Sequence, residues 1–223
     1  MSEQGEIPCL GKTVLKFGNL SINARRNRDS THKPFPAKPV LDLPCVPPLL
    51  LTNRVALDCE MVGVGIDGKE HMLARVSVVN EHGDVLVDCY VKPQQIVKDY
   101  RTRISGVSPE LIEAGFEFAA VRELVRKLIY GRILVGHALK NDLTVLKLGH
   151  PKHNIRDTSR YKPITKKVFA QGTPSLKSLT KHLLKVDIQN GTHDSVEDAR
   201  AAMNIYLLFE QSWEKSVQQS RKY

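Results

Sequence analysis

The chain has 223 residues, 41% of them hydrophobic, and its 33 Lys and Arg against 24 Asp and Glu give a net charge of +9. That is enough for one domain of ordinary size plus a tail, with a real core. The apolar run that ends in Pro47 to Leu51 is far short of the about 20 residues that cross a bilayer, and the N-terminus lacks the basic start and apolar stretch of a signal peptide. The expectation is a soluble intracellular protein with no membrane partner. Its basic surplus favours a polyanion. Cys9, Cys45, Cys59 and Cys89 show no C-x-x-C spacing, which argues against a zinc ribbon or a disulfide scaffold.

Residues 1–53 read as a basic, proline-containing flexible leader without helical or strand periodicity. Arg25, Arg26 and Arg28 in it are candidate contacts for RNA or an import receptor, with a solvated tail as the plain alternative. Order is expected from about Arg54. Val55–Val62 is a short apolar strand, Met72–Asn80 an alternating, β-branched second strand and Val85–Val91 a third, after the turn "EHGD". Ser108–Ala114 and Glu117–Tyr130 look helical, Arg132–Val135 is a fourth strand, and Ala138–Leu148 is a helix with a Leu139, Leu143, Leu146 stripe. Asn154–Asp157 is a short fifth strand. Ser175–Leu184 and Ser195–Trp213 are two more helices. Three meandering strands followed by alternating helices and strands predict an α/β fold with a mixed sheet and helices on its faces. The domain is placed at 54–213, with a polar tail at 214–223.

The segment "VALDCEMVGVGIDGKE" offers two chemistries. Gly63, Gly65 and Gly68 fit G-x-G-x-x-G, and Gly63, Gly68 and Lys69 fit most of a phosphate-binding P-loop. Both motifs need a helix directly after the loop, because the phosphate rests on that helix's N-terminus. A strand follows here, and Glu70 stands where a Ser or Thr would meet magnesium. The expectation is therefore no nucleotide cofactor, the glycines serving as a connection between antiparallel strands. Asp58 and Glu60, at i and i+2 of the first strand, project from one face about 7 Å apart. Buried carboxylates in an apolar strand need a cation, a strong hydrogen-bond set or a metal, a buried arginine being the plain alternative.

Asp142 lies in the first turns of the helix after "VGHALKND"; alone it reads as a dipole-favoured surface acid. In "GTHDSVEDARAAMNIYLLF", Ser195 and Asp198 have capping-box spacing. Asp198 also heads the face shared by Ala202, Ile205, Tyr206 and Phe209, so it points toward the sheet. His193, on the loop entering that helix, is suited to take a proton from water near a carboxylate cluster.

The combination of D-x-E (Asp58, Glu60), the Asp of "ND" (Asp142) and H-x-x-x-x-D (His193, Asp198) resembles the DEDDh class of 3′→5′ exonucleases, which have a ribonuclease H-like mixed five-stranded sheet flanked by helices. "LDCEMVG", "DYRTRISGV", "GHALKND", "IRDTSRYKP" and "HDSVEDARAAM" resemble most closely the RNA exonuclease 4 group and its interferon-stimulated relatives, over about residues 54–210. Lys140 departs from the histidine that relatives often carry before "ND".

The resemblance implies two Mg²⁺ (or Mn²⁺) ions held by four acids. Asp58 would bridge them, Glu60 and Asp198 would serve the water-side ion and Asp142 mainly the second, with His193 as the base. Oxygen-only ligands suit these ions better than zinc. It also implies a single-stranded RNA with a free 3′ end as partner, DNA being the alternative substrate and a non-catalytic RNA-binding scaffold the alternative role. The products would be nucleoside 5′-monophosphates, and the setting ribosomal RNA processing in the nucleus or nucleolus. Candidate substrate contacts are Met61 and Val62 on the acid-bearing strand, and Arg101, Arg103, Ser105 and Gly106 in "DYRTRISGV". His137 is expected to orient backbone at a strand end. Lys162, Lys166, Lys167, Lys177, Lys181 and Lys185 form a scattered basic region suited to phosphates.

Overall fold

A computed structural model describes residues 47, 50–168 and 172–220; the readings made on residues 1–46 lie outside them. The structure is a five-stranded sheet in the order β3-β2-β1-β4-β5, flanked by helices. Strands β1 (Arg54–Val64), β2 (Glu70–Asn80) and β3 (Val85–Tyr90) form an antiparallel meander. Strands β4 (Ile133–Gly136) and β5 (Ile155–Asp157) add to it in parallel. The sheet is thus mixed, as the pattern predicts. The segment after the glycines is β2, so neither phosphate-loop motif has the helix it requires.

Between β3 and β4 lie α1 (Thr102–Ser105), α2 (Pro109–Glu113) and α3 (Phe118–Ile129). The short α4 (Lys140–Val145) leads from β4 toward β5, and α5 (Lys162–Val168) and α6 (Leu176–Leu179) follow. Sequence reading missed α1 and α5, because a one- or two-turn helix carries too few residues for a period to show. The helix expected over Ser175–Leu184 is α6 followed by a π turn, Thr180–Leu184, closed by Lys185 in the left-handed region at φ 60°. Order begins before Arg54. The Leu50 carbonyl accepts from Asn80 Nδ2 and the Thr52 carbonyl from Arg132 Nε, both at 3.0 Å.

The last helix, α7 (Ser195–Ser220), is the main cover of the sheet. Its Ala202, Ile205 and Tyr206 pack with Ala56 of β1, Val79 of β2 and Val135 of β4. It runs seven residues past Trp213 because its C-terminal half has its own anchor. The guanidinium of Arg156 in β5, 2% exposed, donates in a fork to both carboxylate oxygens of Glu214 at 2.7 Å, and Tyr206 Oη donates to the same carboxylate at 3.0 Å. Among the described residues, no helix is long and apolar enough to cross a membrane.

Removing one partner of a buried, forked ion pair strands the other charge. Glu214→Ala should therefore lower the unfolding free energy by about 3 kcal/mol in urea titrations, while Lys215→Ala, at an exposed position, should stay within about 0.5 kcal/mol of the parent.

Candidate active site

Strand alternation places the first two acids. Ala56, Asp58 and Glu60 share one face of β1. Ala56 is covered by α7, and Asp58 and Glu60 continue that face beyond the helix's beginning. The register between β1 and β2 shifts between Glu60 and Met61, and such a bulge re-aims side chains locally. The next residue on the face, Val62, is roofed by Val107 and by Ile112 of α2.

The first turn of α7 brings Asp198 over the same spot. Asp194 is the cap of this helix, not Ser195 as the spacing suggests. Asp194 Oδ1 accepts from the backbone N–H groups of Val196 and Glu197 at 2.9 and 3.0 Å. Ser195 is already helical, and its buried hydroxyl meets that of Ser77 in β2 at 2.6 Å. Arg75 adds a second clamp, donating through Nε and Nη2 to Asp88 at 2.7 and 2.8 Å and through Nη1 to Asp194 at 3.3 Å. The His193 backbone N–H donates to the Ile104 carbonyl of α1 at 2.6 Å. Asp142 enters from the first turn of α4, just past the sharp exit of β4. That exit, with Ala138 at φ 57°, is fixed by Asp157 Oδ1, which accepts from Ala138 N at 2.9 Å.

Asp58, Glu60, Asp142, His193 and Asp198 thus line one cleft of about 340 Å³. Glu60, Asp142 and Asp198 are 6%, 4% and 3% exposed. Burial holds all four carboxyl groups above the usual carboxylate range, and repulsion from the other acids of the cleft adds to it for Asp58 and Glu60. Asp58 is pushed well up by burial and then by Asp142, Asp198 and Glu60. Glu60 is raised to about 8, chiefly by burial and Asp198. Asp142 reaches about 7 through burial, against hydrogen bonds from its own backbone and from Cys59. Asp198 is raised by burial, opposed by Gln189 and His193. His193 Nδ1 lies 3.8 Å from Asp198 Oδ2, beyond hydrogen-bond range but within Coulombic reach.

The remaining candidates divide. Met61 lines the cleft. Val62 is a correction: its side chain is fully buried and cannot meet a substrate. Arg101 is also committed elsewhere, donating to the Gly68 carbonyl and facing His71 Nδ1, both at 3.1 Å, so it staples the β1–β2 hairpin. Ser105 is buried, its hydroxyl donating to the Tyr100 carbonyl at 3.0 Å. Gly106 closes α1 at φ 65° and runs close beside Thr192. These two shape the loop that carries His193 rather than the cleft wall. Arg103 is exposed and outside the cleft lining. His137 does face the cleft, and its Nδ1 pairs with Thr158 Oγ1 at 2.9 Å at the end of β4.

Cleft residues that sequence reading passed over are Cys59, Asn141, Ser175, Leu176 and Gln189. Cys59 and Asn141 sit inside quoted motifs and could have been found there. Gln189 Nε2 donates to Asp198 Oδ2 at 2.8 Å, but it lies in a loop with φ 56° and no local pattern marks it.

The donor set fits divalent cations. Glu60 Oε1 and Asp198 Oδ1 are buried with no hydrogen-bond partner, and among the described residues the basic groups facing the four acids are Arg75, at the edge of Glu60, and His193, beside Asp198. Hard oxygen donors short of positive charge are what Mg²⁺ and Mn²⁺ take. Among the described residues, no three His, Cys, Asp or Glu groups lie close enough together to hold a metal ion as the side chains stand.

Comparison with known proteins agrees with this architecture. Residues 55–206 match the exonuclease family model RNase_T, and the chain belongs to that family. It is 52% identical over 167 residues to RNA exonuclease 4 of Xenopus laevis, covering 75% of this chain and 39% of that protein. It is 49% identical over 171 residues to the Homo sapiens protein of the same name, covering 77% and 40%. For that of Saccharomyces cerevisiae the identity is 50% over 162 residues, covering 72% and 56%. The chain therefore matches well under two thirds of these relatives' length. Among solved structures it resembles the Neurospora crassa Pan2 catalytic unit, with TM-score 0.63 and 29% identity over 76% of this chain and 29% of that one. It also resembles the Saccharomyces cerevisiae Pan2 exonuclease module in complex with AAGGAA RNA, with TM-score 0.62 and 30% identity over 74% and 30%. The fold is that of the ribonuclease H-like exonucleases.

A carboxyl group whose folded pKa is raised above its unfolded value stabilises less as pH climbs from the unfolded to the folded pKa. For Glu60 that window runs from about 4.5 to about 8. In chelator, Glu60→Gln should match the parent's Tm near pH 4.5 and exceed it by at least ~3 °C near pH 8, about 1 kcal/mol for a domain of this size. Millimolar Mn²⁺ should raise the parent's Tm and leave that of Glu60→Gln nearly unmoved.

Proposed function

We propose that this chain is a 3′→5′ exoribonuclease that hydrolyses the terminal phosphodiester bond of single-stranded RNA and releases nucleoside 5′-monophosphates. The observation that carries this reading is the pair of orphaned oxygens, Glu60 Oε1 and Asp198 Oδ1, among four acids that share one cleft with His193. Asp58, Glu60, Asp142 and Asp198 would hold two divalent ions. Such ions would supply positive charge to the attacking and leaving oxygens of an in-line displacement.

The chain's own groups supply the rest. His193 takes the proton of the attacking water. Hydroxide adds to phosphorus, the P–O3′ bond breaks, the leaving oxygen takes a proton from solvent water to become the new 3′ hydroxyl, and the imidazolium returns its proton to solvent. Gln189 holds Asp198 through its Oδ2, leaving Oδ1 free. Met61 is placed to meet the terminal sugar or base, and His137, anchored by Thr158, borders the same space. RNA as substrate is supported by the relatives' common name and by the RNA in the Pan2 complex. The setting in nuclear ribosomal RNA processing rests on the resemblance to the RNA exonuclease 4 group.

A 5′-labelled single-stranded RNA should shorten to a ladder with Mg²⁺ or Mn²⁺ and remain intact in excess chelator. A matched DNA should be cut more slowly, and a circular RNA should survive. Rapid cutting of the circle would refute exonuclease action. Asp58→Asn should abolish cleavage while keeping RNA affinity within about 3-fold, since Lys and Arg supply most of that affinity. His193→Ala should lower kcat by about 10²–10⁴, the usual worth of a positioned base, with little change in metal requirement. Near-normal kcat in that variant would make His193 a loop residue.

A further inference from the structure

A second and larger concavity, about 650 Å³, lies on the other face of α4 from the acidic cleft. Asn141 and Asp142 line the cleft, whereas Lys140, Leu143 and Thr144, one helical face apart, line this groove. Its apolar wall includes Tyr161, which stacks on Trp213 of α7 with ring centroids 4.0 Å apart and planes at 7°.

Three cations stand on it: Lys140, Lys152 and Arg160. All three are exposed, and among the described residues none has a carboxylate within ion-pair distance. The acid in the lining, Asp157, is buried, with its Oδ1 turned into the fold and accepting from Ala138 N, Ser159 N and Ser159 Oγ at 2.9, 3.0 and 2.7 Å. His150 adds no cation, because burial holds its pKa down while Nε2 pairs with the Arg132 carbonyl at 3.0 Å.

We propose that this groove binds the upstream part of the RNA whose 3′ end occupies the acidic cleft. A base would lie against the Tyr161 and Leu143 wall, and phosphates would sit at Lys140, Lys152 and Arg160. An aromatic platform beside unpaired cations is the chemistry that holds single strands without reading their sequence. The placement favours RNA over an acidic peptide. The two clefts share α4 as a wall, about 10 Å thick. One strand can therefore reach both, and the exposed Lys162 and Lys166 of α5 extend the basic track past Tyr161. The identity of the bound strand rests on the exoribonuclease reading. The groove's affinity for RNA does not.

The consequence is a length dependence. A dinucleotide meets the acidic cleft alone, and a strand that spans both sites gains affinity without any new catalytic group. The triple variant Lys140→Glu, Lys152→Glu, Arg160→Glu should raise KM for a 12-nucleotide RNA at least 10-fold with kcat unchanged. It should leave kcat/KM for a dinucleotide within 2-fold. The log–log salt dependence of 12-mer binding should flatten by about 2, at about 0.7 per phosphate released. The corresponding triple alanine variant should show the same pattern more weakly, and melting curves of both report any folding defect.

Fluorescence anisotropy in chelator, with the parent chain and both variants, reads the groove without catalysis. If the parent binds the 12-mer tightly and the variants do not, but the parent cuts no RNA, the exoribonuclease reading falls and the groove assignment stands. If the parent cuts RNA and the variants match it in KM, affinity and salt slope, the groove assignment is overturned and an acidic, apolar protein partner becomes its occupant.

Discussion

Four carboxyl groups that would repel one another in any loose chain are held facing a single cleft, and most of the surrounding structure serves that constraint. Asp58 and Glu60 are fixed by the central strand, which cannot turn a side chain over without breaking its ladder on both sides. Asp198 is fixed by a helix clamped at its start: Asp194 caps it, Arg75 binds both Asp194 and Asp88, and the Ser77–Ser195 contact ties it to β2. Arg75 also stands opposite Glu60 in the strand register and pulls its pKa down against the burial that raises it. The cation at the edge of the acids is thus the one that locks the helix over them.

A site of this kind is built at a cost in stability, a trade common where function needs unsatisfied charge. The compensation lies away from the cleft. The apolar seam between α7 and the sheet, the Arg156–Glu214 fork and the stack of Tyr161 on Trp213 hold the far end of the same helix. Because α7 is continuous, rigidity gained at Trp213 and Glu214 is delivered to Asp198 at its first turn. It also makes the acidic cleft and the basic groove two ends of one mechanical element.

The segment "DYRTRISGV" illustrates how a motif can serve a site without touching it. Arg101 draws the β1–β2 hairpin inward through the Gly68 carbonyl, Ser105 knots the turn, and the Ile104 carbonyl receives the His193 amide. The base is therefore carried on a loop that a neighbouring loop holds in place.

The sequence by itself determined the strand bearing Asp58 and Glu60 on one face, the mixed sheet, and the helix whose apolar stripe turns Asp198 inward. Periods of two and 3.6 residues state which side of an element a residue occupies. They do not state which distant element arrives on that side. The family resemblance had already set Asp142 among the acids; only the tertiary structure brought Gln189 to them, made Asp194 rather than Ser195 the cap, and buried Val62 under Val107 and Ile112. It likewise turned Arg101, Ser105 and Gly106 into architecture and made residues 214–220 a helix end anchored through Glu214. Each of those outcomes depends on partners far away in the chain. A buried guanidinium on β5 decides whether a polar stretch after Trp213 is a tail or an anchor, and nothing in the local pattern of that stretch records it.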